Sequence, residues 1–328
     1  MRAILPVRTF GDVPASGTPR GFTSQLSRLI TEDKTDMGDG VNDTMTVAGD
    51  GTLTATVADL GAQLISLTTP GGQELLWQAG RTWPWHAPVL FPVIGRSEGD
   101  RIRHRGQHYI MPQHGIARRQ RFRRVGTGHV LVDDAATRRA FPFRFRLTVD
   151  HWVADHELVA RYRVDNPGDE PLPFALGVHP AFRWPLPATT TRRAHTVVFD
   201  RPEPQPIRRV TDVLLRPQRY PSPVRGRVLP LDPPLFDDGA AIFDRLASRS
   251  VTLGAAGSPS LTLTLREGFD HLAIWSPPTG QLLCLEPWTG LPCRQGDVGE
   301  FRHRPGLRLL PPGASETFTY GIRVTDTN

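Results

Sequence analysis

The stretch from Leu282 to Gly290 places a carboxylate directly after an apolar run. Residues 282–285 (Leu-Leu-Cys-Leu) predict a buried strand, and Glu286 follows at once, before Pro-Trp-Thr-Gly. An ionised carboxylate that leaves water has to be hydrogen-bonded or neutralised, and beside an indole its pKa can be tuned for proton transfer. Glu286 is therefore a candidate general base, although a glutamate that satisfies backbone N–H groups in a strand-end turn would explain this stretch equally well.

Two histidines stand in loop-like surroundings. His114 is followed by Gly115 at a predicted turn, and His179 is followed by Pro180, which favours an extended conformation before it and removes a backbone donor. Each histidine taken alone is more often structural than catalytic. Polar neighbours predict plain solvent exposure for four others, His104, His108, His151 and His156.

Other chemistries lack their motifs. The candidate residues His114, His179 and Glu286 are 65 and 107 residues apart and include no short His-x₃-His pair to nucleate a zinc site. The sequence has no Gly-x-Ser-x-Gly nucleophile elbow and no glycine-rich phosphate loop. Once these chemistries are set aside, the residues favour acid–base chemistry that uses no metal or other cofactor. The unperturbed pKa values of Glu and His, about 4.3 and 6.5, need only modest tuning for that purpose.

Composition limits the class of protein. The chain has 328 residues, 38% hydrophobic and 22% charged, which is typical of a soluble globular protein, and no apolar run is long enough to span a bilayer. The net charge of +6 comes from arginines scattered among acids, with Lys34 the only lysine, so we expect no nucleic-acid partner and no membrane partner. Two cysteines, Cys284 and Cys293, indicate a reducing compartment, the cytoplasm.

Alternation of apolar and polar residues predicts antiparallel strands along most of the chain. The alternating segments are 53–57, 62–67, 141–149, 158–164, 261–265 and 318–324. Frequent turn residues, 31 Gly and 32 Pro, separate them, and hardly any helical period is sustained. We therefore expect an all-β fold, one large antiparallel β-sandwich over residues 45–328.

The first 44 residues differ from the rest. Arginines among Ser, Thr, Gly and Pro, with few acids, resemble a transit peptide in composition. A translated leader upstream of a start at Met37 or Met45 would give the same pattern. We expect residues 1–44 to form a poorly ordered N-terminal extension outside the fold.

Three motifs in this order and spacing resemble the aldose 1-epimerase (galactose mutarotase-like) superfamily, and most closely its bacterial LacX-type branch. They are His114-Gly-Ile-Ala-Arg118, His179-Pro-Ala-Phe182 and Leu285-Glu-Pro-Trp-Thr-Gly290. Supporting stretches lie at 90–96 (Leu-Phe-Pro-Val-Ile-Gly-Arg), 235–240 and 242–244, 271–275 and 309–313. The resemblance covers roughly residues 48–326.

The resemblance implies a galactose mutarotase-like supersandwich with a sugar in a cleft on one sheet face. It also implies roles: Glu286 as base and His179 as acid, exchanged on the return half of the reaction. His114 and Arg96 would bind the sugar oxygens. Further expected sugar-binding residues are Trp275 and Trp288, for which wall or core packing is an equal alternative, and Asp238, with Asp237 as the other candidate acid.

The expected activity is that of an aldose 1-epimerase, an isomerase that interconverts the α and β anomers of a hexose. One alternative is a hexose-6-phosphate mutarotase, in which Arg96, Arg118 and Arg119 clamp the phosphate unless they form ion pairs in the sheet. Another is a carbohydrate-binding or regulatory protein without turnover. The expected partner is a small sugar, and the expected state is a monomer or weak dimer. Departures from the family pattern at Ile116, Arg119, Ala181 and Cys293 leave the sugar itself open.

Overall fold

The computed structural model describes residues 43–48, 51–278 and 280–325. Within these ranges the chain is built almost entirely of β-strands, and the described residues from Asp43 on belong to one compact unit. Apart from Asp43 and Thr44, the extension expected over residues 1–44 lies outside the described residues. The first strand begins at Thr44, one residue before the expected boundary, and Asp43 forms an exposed ion pair with Arg121.

Twenty-four strands follow one another in the described part of the chain. In order they are β1 (Thr44–Ala48), β2 (Thr54–Ala58), β3 (Leu64–Thr68), β4 (Val89–Leu90), β5 (Arg101–His104), β6 (Gln107–Ile110), β7 (Arg123–Val125), β8 (Gly128–Val132), β9 (Arg146–Ala154), β10 (Glu157–Asp165), β11 (Leu172–Phe174), β12 (Gly177–Val178), β13 (Ala181–Arg183), β14 (His195–Phe199), β15 (Val210–Thr211), β16 (Leu214–Leu215), β17 (Val228–Pro230), β18 (Ala241–Phe243), β19 (Ser250–Ala255), β20 (Ser260–Glu267), β21 (His271–Trp275), β22 (Leu282–Trp288), β23 (Arg308–Leu310) and β24 (Ser315–Thr325).

Helices are short. The one described α-helix is α1 (Ala135–Arg138), capped by the Asp134 carboxylate, which accepts from the Thr137 backbone N–H. Single 3-10 turns occupy Glu98–Asp100, Ala117–Arg119, Arg192–Ala194, Pro233–Phe236 and Phe301–His303. No helix among the described residues is both long and apolar enough to cross a membrane.

Two large antiparallel sheets form the sandwich. One has nine strands in the order β17-β14-β19-β20-β24-β10-β9-β8-β7, and the other has β18-β21-β22-β12-β4, with β13 also pairing with β22. Side chains from both sheets, such as Leu147 and Val149 of β9 and Leu283 and Leu285 of β22, belong to one continuous buried core. Smaller sheets are formed by β1–β3, β5–β6, β11–β23 and β15–β16. The predicted antiparallel β-sandwich is confirmed.

Strand β22 is buried on both faces. Its odd-numbered residues, Leu283 and Leu285, enter the core between the sheets, whereas Cys284, Glu286 and Trp288 lie on the opposite face because side chains alternate along a strand. The strand continues through Glu286 to Trp288 instead of ending at Leu285. A strand covered on both sides explains its nearly continuous apolar sequence.

Two of the four histidines expected to be exposed are buried, so that expectation is wrong for them. His151 is 2% exposed because it lies on the same face of β9 as Leu147 and Val149. His104 is 6% exposed and packs on the ring of Phe143 at 4.4 Å between centroids. His108 and His156 are exposed as expected.

Candidate active site

Strand pairing brings His179 to Glu286. Gly177 pairs with Trp288 on one side, and Ala181 pairs with Cys284 on the other. Continuing this antiparallel register inward by two residues from either pair places His179 opposite Glu286. The sequence matches this geometry, since a side-chain carbon on Gly177 would lie 2.8 Å from Cδ1 of Trp288. Glycine therefore permits the close approach of the two strands beside the site.

The Glu286 carboxylate and the His179 imidazole are in contact. His179 Nε2 lies 3.2 Å from Glu286 Oε2, and the residues are 7% and 1% exposed. The two atoms are not aligned for a hydrogen bond. Glu286 Oε2, His179 Nδ1 and Trp288 Nε1 all lack hydrogen-bond partners among the described residues. Three buried polar atoms without partners at one place are costly and favour a polar ligand there.

Burial shifts both groups towards their neutral forms. It raises the pKa of the Glu286 carboxyl well above its usual value, an effect that the Trp288 indole opposes. Burial, together with the positive charge of Arg118, lowers the pKa of His179 to about 3. When both groups are neutral, the pair has one transferable proton, which is on the Glu286 carboxyl. Moving that proton to His179 would give a carboxylate and an imidazolium without any exchange with bulk water.

His114 is held rigidly by Gly95. Its backbone N–H donates to the Gly95 carbonyl at 2.7 Å, and its Nδ1 accepts from the Gly95 N–H at 3.1 Å. Because Nδ1 accepts, Nε2 carries the proton of the neutral ring and is the donor available to a ligand. Burial first, then Arg118 and His179, lowers the pKa of His114 well below its usual value. The ring stands perpendicular to that of His179, with centroids 5.7 Å apart.

Arg118 is a buried cation without an acid partner. It is 7% exposed, donates through Nη2 to the Gln113 carbonyl at 2.8 Å and stacks over Trp85 at 4.6 Å. Its Nε has no partner, and it pairs with no carboxylate among the described residues. Burial and the neighbouring Arg119 lower its pKa to about 10, so it stays charged at neutral pH.

A cavity of about 680 Å³ opens over these groups. Its walls include Trp83, Trp85, Trp275 and Trp288 together with Glu286, His179, His114 and Arg118. The Trp83 ring stacks on that of His179 at 4.8 Å, and Trp275 meets His179 edge-on at 6.1 Å. Aromatic faces beside hydrogen-bonding groups suit the C–H and O–H surfaces of a sugar.

Most of the residues predicted for the site line this cavity, and one does not. Glu286, His179, His114, Trp275, Trp288 and Asp238 all do. Arg96 is absent from the walls because its guanidinium is taken up by Asp100, four residues further along the chain. Asp238 stands at the exposed rim, 3.2 Å from Arg216. Trp288 lines the cavity and also packs in a buried cluster with Leu90 and Ile94, so its position fits both sugar binding and core packing.

Several wall residues were not predicted. Trp83, Trp85 and Gln113 come from loops, and Thr211, Asp212 and Arg216 from the β15–β16 hairpin and the residues beside it. The only sequence signal was the Trp-Pro-Trp cluster at 83–85. A possible metal-ligand set is also present, because donor atoms of His179, Cys284 and Glu286 lie within 4.8 Å of one another.

Comparisons with known proteins agree with this geometry. The family model described as aldose 1-epimerase matches residues 43–300. The chain is 28% identical to protein LacX of Lactococcus lactis subsp. lactis over 288 residues, which cover 83% of this chain and 96% of that protein. It also superposes on a galactose mutarotase-like protein from Lactobacillus casei, with TM-score 0.79, 30% identity and coverage of 86% and 100%.

A galactose mutarotase related enzyme from Lactobacillus acidophilus gives the same TM-score, 0.79, at 27% identity over 87% of this chain and 98% of that one. The fold is thus of the galactose mutarotase type, as expected. With the family model covering most of the chain, the protein belongs to the aldose 1-epimerase family and to its LacX-type branch.

Proposed function

We propose that the protein is an aldose 1-epimerase that interconverts the α and β anomers of a hexose with Glu286 and His179 as its acid–base pair. Family membership supports a mutarotase-type function. The observation that carries the specific proposal is the 3.2 Å contact between the Glu286 carboxylate and the His179 imidazole in the wall of a cavity large enough for a hexose.

The reaction needs one base and one acid. Glu286 as carboxylate removes the proton of the C1 hydroxyl, while His179 as imidazolium donates a proton to the ring oxygen. The bond between C1 and the ring oxygen breaks, and C1 becomes an aldehyde carbon. Rotation about C1–C2 and the reverse proton transfers then close the ring with either configuration.

Burial assists the ring-opening step. The step leaves Glu286 as a neutral acid and His179 as a neutral imidazole, which is the form that burial favours for both. The charged starting form holds the same number of protons. Ring closure reverses both transfers and returns the pair to this form, with no need to draw protons from solvent.

Other wall residues position the sugar. The Nε2–H of His114 is a donor for the ring oxygen or a neighbouring hydroxyl, and Arg118 offers a charged donor nearby. Sugar hydroxyls would also supply partners to Glu286 Oε2, His179 Nδ1 and Trp288 Nε1. Trp83 and Trp275 present aromatic faces to the sugar's C–H groups.

Polarimetry of freshly dissolved α-glucose and α-galactose tests the proposal. The protein should speed the approach to the same final rotation that each sugar reaches alone. Binding of these sugars without any acceleration would instead support a carbohydrate-binding protein that lacks turnover. The matched acid and base argue against that alternative, because a binding protein needs neither.

Arg118 supports a hexose 6-phosphate as a second candidate substrate. A buried guanidinium with no carboxylate partner among the described residues suits an anionic group, and Arg119 also lines the cavity. The anomer exchange of glucose 6-phosphate, followed by NMR, should be compared with that of glucose. If the phosphate is recognised here, Arg118→Gln raises KM for the phosphorylated sugar selectively, whereas Arg96→Gln, outside the cavity, leaves KM unchanged.

A further inference from the structure

A thiol lies beside the proposed acid–base pair. Cys284 is two residues before Glu286 on β22, so both side chains lie on the same face of the strand. Cys284 is fully buried beneath the aromatic wall, where it packs with Trp83 and Trp275. Its Sγ, His179 Nε2 or Nδ1 and a Glu286 carboxylate oxygen lie within 4.8 Å of one another. The proposed reaction gives this sulfur no role.

The spacing of these donors approaches that of a tetrahedral zinc site. Zinc bonds of about 2.0–2.3 Å place neighbouring ligand atoms roughly 3.3–3.6 Å apart. His179 Nε2 and Glu286 Oε2 are already at 3.2 Å, and the remaining separations among the donor atoms, at most 4.8 Å, have to shorten by about 1 Å on binding. Glu286 Oε2 has no hydrogen-bond partner among the described residues to give up.

The charges also match. A neutral imidazole, a thiolate and a carboxylate carry two negative charges, which neutralise one divalent cation. A neutral complex avoids the high cost of burying net charge. On binding, the Cys284 thiol loses its proton to solvent, and so does Glu286 when it is protonated.

We propose that His179, Cys284 and Glu286 form a binding site for a thiophilic divalent cation such as Zn²⁺, and that the bound cation inhibits the enzyme. The ion would enter through the cavity, since His179 and Glu286 line it, and its fourth position would face that cavity and hold water. The inhibitory effect rests on the proposed function, because a cation held by Glu286 and His179 removes both the base and the acid. Binding itself does not rest on it.

The donor set predicts which ions inhibit. A sulfur and an imidazole nitrogen suit Zn²⁺ and Co²⁺, whereas Mg²⁺ requires oxygen ligands in octahedral geometry. Zn²⁺ should therefore slow mutarotation at concentrations at which Mg²⁺ has no effect, and EDTA should restore the rate.

The two cysteines of the chain provide a matched pair of variants. Cys284→Ser removes the thiolate from the site. Cys293→Ser changes the other buried thiol, which donates to the Arg294 carbonyl at 3.3 Å and lies outside the ligand cluster. Both variants should keep their basal activity. The Zn²⁺ concentration for half-inhibition should rise by about tenfold or more in Cys284→Ser and should not change in Cys293→Ser. Cys284→Ala serves if the serine variant does not fold.

Cobalt absorption tests the site without any activity. Co²⁺ added to the whole protein should give a thiolate-to-metal charge-transfer band in the wild type and in Cys293→Ser, and none in Cys284→Ser. The same band in all three proteins, or equal inhibition by Zn²⁺ in all three, would overturn the proposal. If no sugar is turned over but the cobalt band depends on Cys284, the metal site stands and the proposed function fails.

Discussion

At the scale of single residues, burial changes the chemistry more than the sequence indicates. Modest pKa tuning is the expectation from unperturbed values, yet burial raises the pKa of Glu286 well above its usual value and lowers that of His179 to about 3. Desolvation is the largest cause of both shifts, and the positive charge of Arg118 adds to that of His179. The two opposite shifts favour the neutral form of both groups, which is the form that the proposed ring opening produces.

Glu286→Gln should preserve the fold and abolish most mutarotation. The amide keeps the shape and most hydrogen bonds of the carboxyl group but cannot take a proton, and a positioned base contributes about 10²–10⁴-fold to a rate. Polarimetry on α-galactose measures the loss, while circular dichroism and thermal melting confirm that the variant is folded. Near-normal activity would remove Glu286 from its assigned role.

Replacing His179 and replacing His114 should change different kinetic parameters. His179→Ala is expected to lower kcat about as much as Glu286→Gln does, because it deletes the acid. His114→Ala should mainly raise KM, since His114 is held by Gly95 as a neutral donor for the sugar. Steady-state kinetics of both variants decides this, and the opposite pattern would exchange the two roles.

At the scale of elements, short loops and strand register position the site. His114 has a left-handed backbone with φ of 63°, and Gly115 follows with φ of 77° against the backbone of Phe91. The amides of Ile116 and Ala117 both donate to the Phe91 carbonyl. This loop therefore places the imidazole through backbone contacts, whereas β12, β13 and β22 place His179 and Glu286 through their pairing.

Gly115→Ala should disrupt the His114 loop. A Cβ at this position would lie 2.1 Å from the Phe91 carbonyl oxygen, so the loop must move. We expect a loss of more than about 2 kcal/mol in the free energy of unfolding and a higher KM. Gly72→Ala is the matched control, because Gly72 has the same φ of 77° with nothing within 4 Å. It should cost only the strain of the backbone, about 1–2 kcal/mol. Equal urea denaturation midpoints for the two variants would contradict the steric explanation.

At the scale of the whole molecule, the core between the sheets contains a titratable group that must stay neutral. His151 faces the core from β9, and neither of its ring nitrogens has a hydrogen-bond partner in the described part of the chain. Burial lowers its pKa to about 3. The unfolded chain binds a proton there near pH 6.5. Between pH 6.5 and 3 the unfolded state therefore holds more protons, and stability falls as pH falls through that window.

His151→Leu should reduce this acid sensitivity. The wild type is expected to lose up to about 1.4 kcal/mol per pH unit from this one group below pH 6.5, and the leucine variant should lose correspondingly less. Melting temperatures from pH 7 to pH 4 measure the difference. His108→Leu, on an exposed strand, should behave like the wild type. Parallel pH curves for His151→Leu and the wild type would show that His151 does not contribute.

A chain shortened to start at Met45 should remain soluble and active, with an unchanged melting temperature. Residues 1–44 show no alternation and no apolar face in the sequence, so we expect them to bury too little surface to offset the entropy of ordering them. The truncation removes the first residue of β1 and the ion pair of Asp43 with Arg121, which is exposed and therefore weak. Aggregation, or a melting temperature lower by several degrees, would show that the segment packs on the sandwich.

The residue pattern alone predicts the fold class and singles out the groups that we propose to react. Alternation with period two marks the strands because half-buried strands must present apolar residues to one side only, and β9, β10, β20 and β24 follow it. Glu286, His179 and His114 were recognisable because each breaks its local pattern: a carboxylate in a buried strand, a histidine before proline and a histidine before glycine. The predicted strand over 141–149 is only partly correct. Phe141, Phe143 and Phe145 are buried as their spacing predicts, but β9 begins only at Arg146.

Only the tertiary structure decided which groups meet and which charges are satisfied. Arg96 and Arg118 look equally available in the sequence, yet Arg96 pairs with Asp100, whereas Arg118 lies in the cavity wall and pairs with no acid that the structure describes. The Trp-Pro-Trp cluster at 83–85 is visible in the sequence, but neither its place in the cavity wall nor the approach of Cys284 to His179 follows from any local pattern. The physical reason is that partner choice and desolvation depend on strand register and on packing between distant segments, and these set both the proton affinity and the ligands of the site.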